Sequence, residues 1–466
     1  VKNEQIDLEY YYSTSCAASL FRAIYQKYEK KLIRKRLLDF DDMMLDCYTL
    51  LKERKDILKV WQSCFSYILI DEVQDMNRLQ YEIVRMLAKP QDNLFLVGDD
   101  DQSIYRFRGA KPEIMFQFTK DYPDTQMVLL DQNFRSTKQI VHASLEVINK
   151  NKKRFFKEIS TQNEEGEAVE CQIFSNPGEE TKQICQQIQK AVKNGRFYSE
   201  IAILFRTNTG AQLMTERLME YNIPFAMKDK MPNLYDHWIA RDLFAYLKIG
   251  AGSRERREML RIINRPNRYI SRECLDTPLI SFDRLCAYYE EKDWMIERIE
   301  RLEQDISWIG QLRPYAAINY IRKGIGYDQY LIKYAEEHHI KPEDLSDLLD
   351  EIQESAKPYK ECKEWFDHVE KYKEELEKQS AKKKQHTENA VHILTFHGAK
   401  GLEFKEVFLP DLNDGVVPYK KAVLEEDLQE ERRMMYVGMT RAMEKLHLCW
   451  TEERYGKKAA VSRFLL

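Results

Sequence analysis

Two clusters of side chains in this sequence could do chemistry. The first is Asp71-Glu72-Val73-Gln74-Asp75, directly after the apolar run 67–70. A carboxylate at the end of a strand can hold Mg2+, directly or through water, and the glutamate beside it can orient or deprotonate an attacking water. Alone, the pair would equally suit the acid-rich start of a helix. The second is Tyr105-Arg106-Phe107-Arg108, which alternates aromatic rings with guanidinium groups. The bases of a single strand can stack on such rings while the cations neutralise its phosphates. Tyr105 by itself suits a core aromatic as well as a base contact.

These residues need a framework, and the pattern of the chain predicts one. Short β-rich runs end in polar clusters and lead into helical periodicity: 67–70 before Asp71, 94–97 before Gly98, 127–130 before Asp131, 201–205 before Arg206, and 393–396 before His397. Polar residues just past the carboxyl ends of strands mark an open parallel α/β sheet. A late strand is predicted over 445–450, after a helix around 426–436. Residues 251–390 differ: 254–272 is basic, and most of the rest reads as charged helix. The clearest boundary is the polar stretch 381–388, and strands resume at Val391, so an α-rich insertion within an α/β domain is expected. The first 38 residues are also helical and charged, and no internal repeat is present.

Composition sets the outer bounds. The chain has 466 residues, which suggests roughly three domains at about 100–200 residues each. Hydrophobic residues make up 43 %, yet no run approaches the ~18 apolar residues of a membrane span. Nine cysteines are scattered without a Cys-x-x-Cys pair, which points to reduced thiols and a cytoplasmic setting rather than to zinc or disulfides. The net charge of −4 decides nothing about nucleic acid, because a local basic channel can sit on an acidic protein.

Five blocks in order carry a stronger signal. They are Asp71-Glu72-Val73-Gln74-Asp75, Gly98-Asp99-Asp100-Asp101-Gln102-Ser103-Ile104-Tyr105-Arg106-Phe107-Arg108-Gly109-Ala110, Gln132-Asn133-Phe134-Arg135-Ser136-Thr137, Thr395-Phe396-His397-Gly398-Ala399-Lys400-Gly401-Leu402-Glu403-Phe404, and the block from Glu430 to Ala442. Together they closely resemble motifs II to VI of the UvrD/PcrA/Rep-type superfamily-one DNA helicases. The resemblance covers essentially the whole chain and is weakest over 270–385. It implies that Asp71 holds Mg2+, that Glu72 is the base for hydrolysis, and that Gln102 senses the γ-phosphate. It also implies that Arg135 and Arg441 clamp that phosphate, that Phe134 stacks on adenine, and that Glu403 contacts the ribose. Tyr105, Phe107, Arg108, His397 and Lys400 match positions at or near the DNA strand.

There are departures. Phe134 stands where Tyr is common, Phe107 where most relatives have Trp, and Gly398 where Ser or Ala is usual. Asn264-Arg265-Pro266-Asn267-Arg268-Tyr269-Ile270-Ser271 has Tyr269 and Ser271 where relatives have the glycines of Gly-Ile-Gly, so no duplex-binding role is carried onto it. Lys152-Lys153-Arg154 reads as a solvated face. No Gly-x-x-x-x-Gly-Lys-Ser/Thr segment occurs, and the chain opens on Val1 rather than Met. The expectation is that this phosphate-binding loop lies upstream of residue 1.

The resemblance thus implies an α/β fold of two RecA-like parallel-sheet motor domains with α-helical insertions. Residues 39–135 would form the first, incomplete motor domain and 1–38 the remnant of its insertion. Residues 136–250 and 388–466 would form the second, interrupted by the insertion 251–387. ATP with Mg2+ would bind between the motor domains and drive 3′ to 5′ movement on single-stranded DNA. Partners would be single-stranded DNA, single/double-strand junctions and repair or recombination proteins, with no membrane. Two other readings stay open: a non-catalytic DNA-binding or scaffold fragment, and the helicase subunit of a helicase–nuclease complex.

Overall fold

The computed structural model describes residues 1–13, 16–227, 233–382 and 389–466. The chain packs as two units. The first comprises Val1–Gln172, Thr395–Trp450 and Ala460–Leu466; the second comprises Ile173–Leu394 and Thr451–Ala459.

In the first unit β1 (Ile68–Ile70) leads through helix α1 (Arg78–Ala88) to β2 (Leu94–Leu96), and the two strands pair in parallel with Ile68 opposite Leu94. Reciprocal hydrogen bonds between Asn77 and Gln80 start α1, each 2.9 Å long, and satisfy two of the amides that a helix start leaves open. Tyr81 of α1 joins Val73, Met76, Ile114 and Phe118 in a core against Ile70, Leu94 and Leu96. The other face of the pair shows Leu69 and Phe95, 71 % and 61 % exposed. Parallel strands are normally covered on both faces, but among the described residues nothing covers this one. Just past β2, a Cβ on Gly98 would stand 2.5 Å from Gln74 Oε1 and 2.6 Å from Val73 Cγ1, so glycine is what allows the two strand-end loops to close on each other.

The strand expected over 127–130 does not form. Met127, Val128, Leu129 and Leu130 are exposed, and the pairing falls on Gln132–Asn133, parallel with Ser160–Thr161. An apolar run becomes a strand only where a neighbour takes its backbone hydrogen bonds, and no described segment does so here.

Further along this unit come α2 (Lys138–Ile148), β3 (Phe404–Leu409), α3 (Glu425–Met439) and β4 (Ala442–Thr451). β3 and β4 run parallel, with Val407 opposite Leu446. The late helix and strand predicted from sequence are therefore present and longer than expected. Glu425, Glu426 and Asp427 open α3, where negative charge suits the helix dipole, while its last turns from Arg433 onward are buried. A Cβ on Gly438 would come within 3.0 Å of the Phe396 ring, so this glycine lets α3 pack close beneath the residue before His397.

The second unit holds strands Ile201–Phe205, Val391–Thr395 and Phe225–Met227 as neighbours in that order, the last two parallel. Helices follow from Trp238 to Lys382, apart from a loop region over 263–281, as the α-rich reading predicted. The basic stretch turns inward. Asp242, wholly buried, accepts two hydrogen bonds from Arg265 (2.7 and 2.9 Å), one from Arg261 (3.3 Å) and one from the Tyr327 hydroxyl (2.8 Å). A buried carboxylate persists only when paired and hydrogen-bonded in this way. Arg268 donates to the carbonyls of Ile262, Ile263 and Pro266. Tyr269 takes a left-handed φ of 59°, a conformation that favours glycine, so the loop keeps a glycine-like backbone without the glycine.

The polar boundary read at 381–388 begins within the helix Cys362–Lys382, and its residues 383–388 lie outside the described residues. The nine cysteines are all free. No described helix is long and apolar enough to cross a membrane.

Candidate active site

The first unit gathers the acidic loop, the glutamine block and both arginines. At the end of β1 the exposed Asp71 uses Oδ1 to accept the Glu72 N–H (2.9 Å), and among the described residues its Oδ2 has no donor. Glu72 has a left-handed φ of 53°, unusual for a residue with a side chain and costing roughly 1–3 kcal/mol that the surrounding contacts must hold in place. Its Oε2 accepts from Gln74 Nε2 and lies 3.2 Å from Lys400 Nζ. Gln74 is buried and its Oε1 accepts the Asp99 N–H (3.0 Å), tying the loop after β1 to the loop after β2.

Lys400 draws these loops together from the other end of the sequence. Its ammonium is 2.6 Å from Asp75 Oδ2 and donates to the Gln102 carbonyl at 3.1 Å. Burial raises the Asp75 carboxyl above its ordinary range against the pull of Lys400. Gln102 closes a short turn that Asp99 caps, and Gln102 Nε2 donates to Asp99 Oδ2 at 2.8 Å.

The arginines contact the later residues of the segment that begins at Lys400. Asn133 Oδ1 accepts the backbone N–H groups of Arg135 and Ser136, each at 2.9 Å, a side-chain-built turn that presents Arg135. Arg135 Nε donates to Glu403 Oε2 (2.8 Å) and Nη1 to the Thr440 carbonyl (3.5 Å). Arg441 is only 2 % exposed and donates to neutral oxygens alone: Val437 O (2.9 Å), Leu402 O (3.2 Å) and Thr440 Oγ1 (3.1 Å). Burial first, and the nearby Arg135 second, push its guanidinium down to about 10, so at neutral pH it is still a cation. A buried guanidinium with no carboxylate partner among the described residues, beside a second guanidinium, makes a pair suited to an anion. Phe134 offers its ring nearby in the chain, 78 % exposed.

Aromatic groups cluster on the other side of the Gln102 block. The His397 ring meets Phe107 edge-on at 5.2 Å and lies 5.9 Å from Tyr105, and its Nε2 is 3.1 Å from the Ile104 carbonyl. Arg108 sits 5.3 Å from the Tyr105 ring and 5.4 Å from the Phe107 ring, within cation–π range. Phe107 is 66 % exposed and Tyr105 half-buried. Arg106 faces elsewhere: it pairs with Glu426 (2.7 Å) and Asp427 (3.2 Å) at the start of α3.

Every site residue expected from sequence therefore lies in this unit, in two neighbouring groups. Asp71, Glu72, Gln102, Arg135, Glu403 and Arg441 belong to the first, Tyr105, Phe107, Arg108 and His397 to the second, Lys400 touches both, and Phe134 stands exposed next to Arg135 in the chain. Two placements differ from expectation. Glu403 is paired with Arg135, and the Lys400 ammonium binds the acidic loop while also standing 5.3 Å from the Tyr105 ring. Sequence reasoning also passed over Gln74, for which no local signal exists, and Lys157. Arg154 is no solvated residue, as its fork closes on Asp101 at 2.9 and 2.6 Å. Three adjacent aspartates at 99–101 were a signal that cations had to come from elsewhere.

Parallel strands with acids, a glutamine and paired arginines in the loops past them are the arrangement of a RecA-like α/β motor fold. The chain belongs to the UvrD/REP helicase family: the model for the UvrD/REP helicase N-terminal domain matches residues 1–123, and that for the UvrD-like helicase C-terminal domain matches residues 128–453. It is 34 % identical over 456 residues to the putative ATP-dependent DNA helicase YjcD of Bacillus subtilis, covering 95 % of this chain and 59 % of the relative. It is also 31 % identical over 479 residues to the ATP-dependent DNA helicase PcrA of Staphylococcus aureus, covering 97 % and 64 %. The PcrA of Staphylococcus epidermidis is similar at 32 % over 480 residues. The chain thus spans about three fifths of the length of these relatives.

Proposed function

We propose that this chain is the motor part of an ATP-driven DNA helicase that moves 3′ to 5′ along single-stranded DNA. One observation carries the reading: the four-residue segment from Lys400 to Glu403 touches both halves of a phosphoryl-transfer site. Lys400 binds Glu72 and Asp75, Leu402 O takes Arg441, and Glu403 takes Arg135. In this reading Arg135 and Arg441 meet the γ-phosphate, Gln102, the expected γ-phosphate sensor, also orients the attacking water together with Glu72, and Phe134 stacks on the base. Glu403 would exchange Arg135 for the ribose. Asp71 fits a Mg2+ site, since the ion needs few protein oxygens and no described residue donates to Asp71 Oδ2. When bound, Mg2+ would neutralise charge on the phosphates. The domain scheme follows the family: 39–135 and 136–250 with 388–466 as motor domains, 1–38 and 251–387 as insertions. Strand displacement from 3′-tailed against 5′-tailed duplexes tests the polarity, and unwinding of the 5′-tailed substrate alone would reverse it.

The Phe107 platform gives a first expected outcome. Phe107→Ala should weaken oligonucleotide binding by about 1–3 kcal/mol, the worth of one stacked base, with little change in thermal stability. Titration by fluorescence anisotropy decides it; unchanged affinity, or a large stability loss, makes Phe107 a packing residue.

A second outcome concerns the phosphates. None of the 466 residues forms a Gly-x-x-x-x-Gly-Lys-Ser/Thr loop. A polypeptide limited to them should hydrolyse ATP at least about 100-fold more slowly than one that also carries such a loop, because positioning supplies most of this catalysis. Phosphate release with and without single-stranded DNA measures this. Robust DNA-stimulated release from the 466 residues alone would mean that the phosphates are held in another way.

A further inference from the structure

Asp99, Asp100 and Asp101 follow β2, and an oxygen of each lies within 4.8 Å of the others. Three carboxylates so close would repel one another and tend to take up protons. Two cations from the segment after α2 answer them. Lys157 Nζ is 2.9 Å from Asp101 Oδ2 and in closer contact with Asp99 Oδ1 and Asp100 Oδ1. Arg154 forks onto Asp101, and the Phe155 N–H donates to Asp100 Oδ2 at 2.9 Å. Both cationic side chains are 9 % exposed. The ammonium stands where a metal ion would, so the triplet is a closed ionic cluster.

This cluster reaches the proposed chemistry through Asp99. Its Oδ1 faces Lys157 and accepts the Asp101 N–H at 3.1 Å, while its Oδ2 accepts Gln102 Nε2 at 2.8 Å. An ionised Asp99 can only accept. Gln102 must therefore offer it the amide nitrogen and leave the amide oxygen for another partner. A protonated Asp99 could donate instead, and the amide could turn over.

We propose that Lys157 is a positioning residue for ATP hydrolysis: by keeping Asp99 a carboxylate it fixes the Gln102 amide with its oxygen free to accept from the attacking water. This rests on the role of Gln102 given above. The charged and titratable groups around Asp99 are Lys157, Asp100 and Asp101, with Tyr436 and Arg441 within electrostatic reach and Arg154 held on Asp101. Burial would raise Asp99, yet Lys157 holds it below its ordinary range, while burial does raise Asp100. Without Lys157 the Asp99 carboxyl should rise, so activity that needs its ionised form is lost at a higher pH.

The test compares Lys157→Met, Lys157→Arg, Asp99→Asn and the double variant Lys157→Met with Asp99→Asn in the full-length protein, with saturating single-stranded DNA. Lys157→Met should lower kcat at least about tenfold, with KM for ATP and oligonucleotide Kd each within about threefold. The acid limb of its kcat–pH profile should move up by about one unit or more. Lys157→Arg should keep most of kcat. Asp99→Asn, whose side-chain amide can donate as a protonated carboxyl would, should by itself lower kcat at least about fivefold, and adding it to Lys157→Met should cost no more than about threefold further. A kcat within threefold for Lys157→Met, or a lower kcat with an unmoved acid limb, overturns the proposal. If Lys157→Met does not fold, the double variant is compared with Asp99→Asn alone: equal kcat supports the proposal, and a further tenfold loss overturns it. Gln102→Ala is run in parallel. If it leaves kcat unchanged, the reading of Gln102 fails. If it lowers kcat while Lys157→Met does not, only the role of Lys157 fails.

Discussion

Arg441→Ala in the full-length protein is expected to lower ATP turnover by about 10³-fold or more, with a far smaller change in nucleotide affinity. Arg441 donates only to neutral oxygens and lies beside Arg135, so its charge awaits an anion. Charge on a transferring phosphoryl group grows toward the transition state, where a fixed guanidinium counts most. Because Arg441 is buried, the alanine variant also takes the donor from Leu402 O, while Val437 O keeps the Thr440 hydroxyl, and some thermal stability should be lost. Arg441→Lys separates the two effects. It keeps a cation in the pocket but loses the planar fork, and most of the turnover should still be missing. Stopped-flow phosphate release decides the matter: turnover within about threefold of wild type for both variants would sink the assignment.

The residues proposed for the site could be named from sequence because each sits in a short contiguous block whose order along the chain is itself informative. Asp71, Gln102, Arg135 and Arg441 needed no knowledge of neighbours. What stayed hidden depended on partners far away in sequence. The alternation at 105–108 predicted two free cations, but Arg106 is spent on Glu426 and Asp427, some 320 residues away. The basic residues over 254–272 could be named from sequence but not their partner: Arg261 and Arg265 neutralise Asp242. Lys157 and Arg154 could be placed only once Asp99, Asp100 and Asp101 were seen to need them. The β-rich pattern over 127–130 gave a strand because composition cannot report whether a neighbouring strand exists. At Tyr269, by contrast, the lost glycine suggested a lost loop, and the backbone adopts the left-handed conformation regardless.

Glu72→Gln carries the other large expected effect. The Glu72 carboxylate is already held on the protein side: Oε2 accepts from Gln74 Nε2 and lies 3.2 Å from the Lys400 ammonium. A glutamine carbonyl oxygen can accept from both donors, so the variant should keep the side chain in place and lose only the capacity to take a proton. Single-turnover hydrolysis should then fall by about 10²–10⁴-fold, the usual worth of a positioned general base, with oligonucleotide and nucleotide binding little changed. Alanine would be a poorer probe, because Lys400 would lose one of its two carboxylates and could draw Asp75 and the Gln102 carbonyl into a new arrangement. If Glu72 serves only to anchor Lys400, the glutamine variant should instead lower thermal stability and leave the chemical step within about threefold of wild type. Rapid-quench hydrolysis alongside a melting curve distinguishes these outcomes, since a base and an anchor move different observables.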